Sequence, residues 1–174
     1  MKVVLAQINP TVGDISENSS EIKEIIQEYS SQSDLIIFPE MCLTGYPPQD
    51  LLLDRSFIYK ATESLKDITK KVQKTPVILG TIRKHKDKLF NTAAVLYNGQ
   101  ITAYRDKTHL PTYDVFDEDR YFVSADSRIP VELNINGKAI KIGIEICEDL
   151  WDTDYETQVS QELVQAGADM IINI

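Results

Sequence analysis

A glutamate, a lysine and a cysteine each stand within two residues of the end of an apolar stretch. They are Glu40, Lys107 and Cys147. Because sites in α/β proteins are built where strands end, we expect the three side chains to lie close together in the fold. An acid, an amine and a thiol at three such positions indicate a catalytic site, although any one of them alone would mean little.

These three residue types could together attack an amide or nitrile carbon. A cysteine near neutral pH is mostly protonated and needs a base or a cation to become a nucleophile. A glutamate in an apolar pocket has a raised pKa, so Glu40 could accept the proton of Cys147. The ammonium group of Lys107 could stabilise the oxyanion of a tetrahedral intermediate.

Each residue also has a simpler interpretation. A lone cysteine such as Cys147 is often a small core residue, and Glu40 could cap a turn. Lys107 could be a solvated strand end, and Glu118 one of several acids on a solvated loop at 114–119. The joint pattern and its flanking residues favour the catalytic interpretation.

Composition and charge exclude several classes of function. With 27 acids against 18 lysines and arginines, the net charge is −9, which disfavours nucleic acid and anionic membranes as partners. The sequence contains neither a span of about 20 apolar residues nor a secretory leader. Two cysteines are too few for a disulfide framework, and two histidines give no zinc spacing. We therefore expect a cytoplasmic protein with reduced thiols and no metal.

The hydrophobic periodicity predicts the order β-α-β-α-β-β-β-loop-β-β-α-β. Asn-Gly pairs at 98–99 and 136–137 predict two tight hairpins. The predicted helices are 17–29, 56–73 and 155–166, and the predicted strands are 2–8, 34–38, 76–84, 89–97, 100–106, 130–135, 138–146 and 168–174.

This order predicts a mixed sheet with helices on one face and a second sheet covering the other, because the strands are apolar nearly throughout. The last apolar strand reaches the final residue, Ile174. We therefore expect a C-terminally truncated piece of a longer protein, with unpaired strand edges that favour association.

Three motifs carry a family resemblance. They are FPE at 38–40 followed by LTGYPPQDLLL, KTHLPTYDVFDEDRYF at 107–122, and GIEICEDLW at 143–151. Together they resemble the nitrilase (carbon–nitrogen hydrolase) superfamily, most closely the N-terminal glutaminase domain of glutamine-dependent NAD synthetases. The resemblance covers the whole chain. It implies a four-layer αββα sandwich, with residues 1–174 as a partial hydrolase domain and the synthetase domain absent from this chain.

The resemblance also implies roles for six residues. Glu40 matches the general base, Lys107 the lysine that precedes HLP, and Cys147 the nucleophile of the ICED motif.

The other three residues, Tyr113, Glu118 and Glu148, match positions beside the substrate, and Glu118 also stands where the family keeps a glutamate near the lysine. The branch usually reads LPNYGVFDE, whereas this chain has Thr112 and Asp114 in place of Asn and Gly. We expect this difference to alter the shape of the glutamine pocket.

By resemblance, the expected activity is hydrolysis of glutamine through a cysteine thioester, which supplies ammonia for amidation of deamido-NAD. No cofactor is expected for this step, while ATP and deamido-NAD would bind only at the absent synthetase domain. The expected partners are glutamine, that domain and further copies of the chain. Two alternatives remain: a free-standing nitrilase-type amidase acting on another small amide, and an inactive fragment that only assembles.

Overall fold

Three α-helices and eight β-strands form the computed structural model, which describes residues 1–174. The helices are α1 (Ile15–Tyr29), α2 (Arg55–Thr69) and α3 (Val159–Gln165). The strands are β1 (Val3–Leu5), β2 (Leu35–Ile37), β3 (Val77–His85), β4 (Lys88–Tyr97), β5 (Gln100–Asp106), β6 (Val131–Ile135), β7 (Lys138–Glu145) and β8 (Met170–Asn173). The predicted element order is confirmed. None of the helices is both long and apolar enough to cross a membrane.

Side-chain caps explain where the two long helices begin. The carboxylate of Asp14 accepts a hydrogen bond from the backbone N–H of Glu17 at 3.0 Å. The carboxylate of Asp54 does the same for Ser56 at 2.7 Å. Each cap satisfies a backbone donor that has no partner within the helix, so the helix begins at the residue after the aspartate.

The strands form two sheets. In the five-stranded sheet the order is β1-β2-β3-β4-β5, with β1, β2 and β3 parallel and the later pairs antiparallel. The three-stranded sheet has the order β6-β7-β8. Both predicted Asn-Gly hairpins are present, as the pairs β4–β5 and β6–β7. Because β5 runs in the same direction as β2, their carboxyl ends lie at the same end of the sheet.

The two sheets and the helices outside them form four layers, as predicted. Apolar residues from both sheets fill the space between them: Leu35, Ile37, Ile78, Ala93, Val95, Val131, Leu133, Ile135, Ile142, Ile144, Ile146 and Ile172. Helices α1 and α2 cover the outer face of the five-stranded sheet. Helix α3 covers β7, where a Cβ atom on Gly143 would approach the Cβ atom of Leu163 to 3.2 Å. The αββα sandwich is confirmed.

The predicted helix 155–166 is wrong in its first turn, since α3 starts only at Val159. The side-chain amide of Gln158 donates hydrogen bonds to the backbone carbonyls of Asp152 at 2.6 Å and Tyr155 at 2.8 Å. This side chain thereby offers the backbone an alternative to the helical hydrogen-bond pattern. Helix α2 likewise ends at Thr69, four residues before the predicted end at 73.

Candidate active site

The loop after β2 carries Glu40 and lies tightly against β3. A Cβ atom on Gly80 would lie 2.3 Å from the carbonyl oxygen of Pro39 and 2.6 Å from the Cα atom of Glu40. The thiol of Cys42 also donates a hydrogen bond to the carbonyl of Gly80 at 3.3 Å. The position of Glu40 therefore requires glycine at residue 80.

Lys107 lies fully buried between two glutamates. Its ammonium nitrogen donates to Oε1 of Glu40 and to Oε1 of Glu118, each at 2.8 Å. The amide of Asn91 donates to the same two carboxylates at 2.6 and 3.2 Å. The hydroxyl of Tyr46 donates to Glu118 at 2.9 Å. This network fixes the distance between the carboxylates, because every member is held by at least one other.

Opposing effects act on the charges of this network. Burial alone would lower the pKa of Lys107, but the charges of Glu40 and Glu118 outweigh it and raise that pKa. The two glutamates therefore favour the charged ammonium form of Lys107. Burial raises the pKa of Glu40, against the opposing charge of Lys107. Glu40 thus has the raised proton affinity that a general base needs.

Cys147 begins the 3-10 turn Cys147–Leu150 that follows β7, and its backbone has φ +46°. Left-handed φ values of non-glycine residues cost free energy and occur often at functional sites. The backbone N–H of Cys147 donates to the carbonyl of Ile174 at 2.8 Å and to Oδ1 of Asn173 at 3.0 Å. The turn is thereby fastened to the end of β8, and the side chain of Cys147 is exposed.

A cleft of about 420 Å³ connects the thiol to the glutamate. Its lining residues are Pro39, Glu40, Tyr46, Cys147, Leu150, Trp151, Asn173 and Ile174. Partial burial, followed by the charge of Glu40, raises the pKa of Cys147 to about 11, although the charge of Lys107 opposes the shift. A thiol with a raised pKa needs a base to remove its proton before it can act as a nucleophile.

Asp149 ties the segment that follows the buried lysine to the turn that carries the cysteine. Its Oδ1 accepts hydrogen bonds from the backbone N–H groups of Thr108 at 3.0 Å and His109 at 2.8 Å. Its Oδ2 accepts from the backbone N–H of Ile146 at 3.1 Å. Because Asp149 is buried, this link from the five-stranded sheet to the three-stranded sheet is shielded from water.

Glu148 lies beside the cysteine in a second group of polar side chains. Its Oε2 accepts a hydrogen bond from the hydroxyl of Tyr113 at 2.8 Å, and its Oε1 accepts from Tyr155 at 2.9 Å. The residue is only 6% exposed, yet it forms no ion pair with a lysine, arginine or histidine. Glu148 is therefore a buried acid that is held by hydrogen bonds and forms no ion pair.

A comparison with known protein families finds a match that covers nearly the whole chain. Residues 2–174 match the carbon-nitrogen hydrolase family.

The chain belongs to this family.

Among curated relatives, the hydrolase is 39% identical to a glutamine-dependent NAD(+) synthetase of Synechocystis over 99% of its own length, and 36% identical to that of Aquifex aeolicus over 100%. It spans about a third of each relative, 33% and 30% respectively. A solved glutamine-dependent NAD+ synthetase of Acinetobacter baumannii superposes with TM-score 0.88 at 32% identity, over 99% of this chain and 32% of the other. An amidase of Nesterenkonia superposes with TM-score 0.80 at 18% identity, over 99% of this chain and 66% of the other, which shows a shared fold.

Of the six residues singled out from the sequence, Glu40 and Cys147 line the cleft, whereas Lys107, Glu118, Tyr113 and Glu148 do not. Their contacts form two groups. One group is Glu40, Lys107 and Glu118, and the other is Glu148 with Tyr113, while Cys147 precedes Glu148 in the same turn. Glu118 contacts the lysine, so the structure places it behind the cleft rather than in its lining.

Sequence reasoning missed four contributors: Tyr46, Asn91, Asp149 and Tyr155. Asn91 could have been found, since it is a polar residue inside the apolar strand β4. The contacts of Asp149 and Tyr155 join segments that are distant or irregular in the sequence, and no local pattern marks them.

The two differences noted in the motif at 112–114 flank Tyr113, whose hydroxyl donates to Glu148. Asp114 has φ +55°, so it adopts the left-handed conformation in which the family usually has glycine. Asp tolerates this region better than most residues. Asp114 therefore holds a conformation that glycine adopts freely, and it adds a carboxylate next to Tyr113 in the chain.

Proposed function

We propose that this hydrolase is the glutamine-hydrolysing part of a glutamine-dependent NAD synthetase. The names of the relatives and their identities of 39% and 36% support the proposal. The observation that carries it is Glu148, a buried carboxylate next to the nucleophile without a cation of its own. Glutamine fits this arrangement, because its amide can reach Cys147 while its α-ammonium group supplies the missing positive charge.

The reaction begins with proton transfer from the thiol of Cys147 to the carboxylate of Glu40. The thiolate attacks the side-chain amide carbon of glutamine, and the ammonium group of Lys107 stabilises the oxyanion. When the tetrahedral intermediate collapses, the C–N bond breaks, Glu40 returns its proton to nitrogen and ammonia leaves. The product on the enzyme is a thioester at Cys147.

Water then completes the cycle. Glu40 accepts a proton from water, the hydroxide attacks the thioester carbon, and the C–S bond breaks. The proton returns to the sulfur of Cys147 and glutamate is released. Glu118 keeps Lys107 charged and oriented throughout, since it accepts a hydrogen bond from the same ammonium group.

The proposal also concerns the part of the relatives that this chain does not cover. The ammonia would pass to a synthetase domain, where ATP and deamido-NAD bind and the amide of NAD is formed. The hydrolytic step itself uses side chains of this chain and neither a metal nor a cofactor.

We further propose that the protein is cytoplasmic and forms homo-oligomers. Its two cysteines are unpaired, and Cys147 must stay reduced to act as a nucleophile. Light scattering after size-exclusion chromatography would measure the oligomeric state. A monomer at every concentration tested would contradict this part of the proposal.

The decisive experiment is mass spectrometry after incubation with a diazo-ketone analogue of glutamine. We expect a single adduct at Cys147 that excess glutamine prevents, because the reagent needs both an activated thiol and a formed pocket. The adduct should be absent from Glu40→Gln and Lys107→Ala. In parallel, Cys147→Ala should release no ammonia from glutamine.

Other outcomes would select the alternatives. Ammonia release by Cys147→Ala would contradict the assignment of the nucleophile. Faster hydrolysis of simple aliphatic amides than of glutamine would favour an amidase. A folded protein that forms no adduct would indicate an inactive fragment.

A further inference from the structure

The two hydroxyl groups bound to Glu148 are held very differently. Tyr113 is 54% exposed, on the irregular segment between β5 and β6. Tyr155 is half-buried and follows the 3-10 turn Asp152–Asp154, where its backbone N–H donates to the carbonyl of Asp152 at 3.0 Å. Tyr113 packs edge-on against Phe116, with ring centroids 5.4 Å apart, whereas Tyr155 is the less exposed of the two tyrosines.

The ring of Tyr155 stacks on a buried histidine. The ring centroids of Tyr155 and His109 lie 3.8 Å apart, with an interplanar angle of 23°. His109 is 5% exposed. The histidine thus presents a fixed flat surface, and stacking on it defines where the hydroxyl of Tyr155 points.

His109 is itself anchored at both ends. Its backbone N–H donates to Asp149 at 2.8 Å, and its Nε2 lies 3.0 Å from the backbone carbonyl of Thr157. Because a carbonyl can only accept, Nε2 carries the proton of this hydrogen bond. The hydrogen bond from His109 to Thr157 joins the segment after Lys107 to the segment after Tyr155. The position of Tyr155 therefore depends on the segment that follows the buried lysine.

We propose that Tyr155, held by its stack on His109, is a specificity-determining positioning residue. It aims the carboxylate of Glu148 so that the site selects amides that also carry an ammonium group. This inference rests on the proposed function, since it concerns how that same site chooses its substrate. It predicts that loss of the Tyr155 hydroxyl weakens binding of the ammonium group while binding of the amide end is kept.

Binding can be measured without turnover in a Cys147→Ala background of the full-length protein. Isothermal titration calorimetry would compare glutamine with glutaramate, the analogue that lacks the α-amino group. With Tyr155→Phe we expect the Kd for glutamine to rise about 10- to 100-fold, the usual effect of a hydrogen bond to a charged group. The Kd for glutaramate should change by less than about threefold.

Three further variants separate positioning from general damage. Tyr121→Phe removes a hydroxyl that donates to the exposed Asp50 at 2.6 Å, and it should leave both Kd values unchanged. His109→Phe keeps an aromatic surface for the stack and should retain the preference for glutamine. His109→Ala removes that surface and should lower the preference as Tyr155→Phe does.

Equal weakening of both ligands by Tyr155→Phe, or no weakening of glutamine, would overturn the inference. Equal loss of preference in His109→Phe and His109→Ala would overturn the role of the stack. Hydrolysis of glutamine by the unsubstituted protein is measured separately. Turnover with an unchanged binding preference in Tyr155→Phe refutes only this inference, whereas absence of turnover refutes the proposed function.

Discussion

Two groups of carboxylates lie near Cys147, and they differ in whether an ion pair compensates their charge. Glu40 and Glu118 share the ammonium group of Lys107, which lies between them. Glu148 receives only hydrogen bonds from tyrosines. A buried charge is costly unless it is paired. The first group contains its own cation, whereas we expect the second, which forms no ion pair, to be compensated by a ligand. On the proposed function, the first group would perform the chemistry and the second would select the substrate.

Removing Lys107, the cation between Glu40 and Glu118, should have the largest effect on stability and activity. We expect Lys107→Met to lower the free energy of unfolding by about 3–5 kcal/mol at neutral pH, because two buried carboxylates then face each other without compensation. Loss of oxyanion stabilisation should also reduce kcat by about 100- to 1,000-fold. Urea denaturation and ammonia release would measure the two effects. An unchanged unfolding midpoint would show that the ammonium group does not compensate the two glutamates.

Neutralising one carboxylate in each group should separate kcat from KM. Glu40→Gln removes the base, so we expect kcat to fall about 100- to 10,000-fold with little change in KM. Glu148→Gln keeps the shape but removes the charge that meets the ammonium group, so kcat/KM should fall about 30-fold, mainly through KM. Steady-state kinetics with glutamine would test both. A fall confined to KM in Glu40→Gln would contradict the division of roles.

The pH dependence of thiol reactivity reports on both groups together. Since the pKa of Cys147 is raised to about 11, its reaction with a small neutral methanethiosulfonate should accelerate with rising pH and reach half of its maximum near pH 11. Glu148→Gln should lower this midpoint, because the charge of Glu148 contributes to raising it. Rates and labelled peptides can be followed by mass spectrometry. A plateau of the rate below about pH 9 would indicate a thiolate already stabilised at rest.

Another buried acid, Glu145 in β7, belongs to neither group. Its Oε1 accepts a hydrogen bond from Ser160 at 2.5 Å and its Oε2 has no partner. Burial raises the pKa of Glu145, so the folded state holds the proton more tightly than the unfolded chain does. Its contribution to stability therefore becomes less favourable as pH rises above the unfolded value of about 4.

Glu145→Gln should consequently stabilise the protein by about 1 kcal/mol at neutral pH, the smallest of these effects. The gain should disappear as the pH falls towards about 4, where the carboxyl is protonated in both states. Chemical denaturation at several pH values would measure it. Glu132→Gln is the matched control, because this glutamate is exposed on β6 and its change should stay within about 0.5 kcal/mol. A stability gain independent of pH would contradict the explanation.

Much of the fold was predictable because its signals are local. Alternating and continuous apolar runs predicted every strand, and the Asn-Gly pairs predicted both hairpins. The prediction failed at 155–158, where the side chain of Gln158 competes with the helix for backbone carbonyls. That competition depends on where Asp152 and Tyr155 lie, so periodicity alone does not report it.

In the candidate site, too, only the local features could be predicted from the sequence. The positions of Glu40, Lys107 and Cys147 after apolar runs, with their flanking motifs, sufficed to predict three reactive side chains at strand ends. The sequence by itself therefore determined the layered fold and the candidate reactive groups, because strand ends and hydrophobic periodicity are local properties. Only the tertiary structure decided that Lys107 lies between Glu40 and Glu118 while Glu148 has no cation. Charge compensation depends on distances between segments that are far apart in the chain, and these distances exist only once the two sheets have packed.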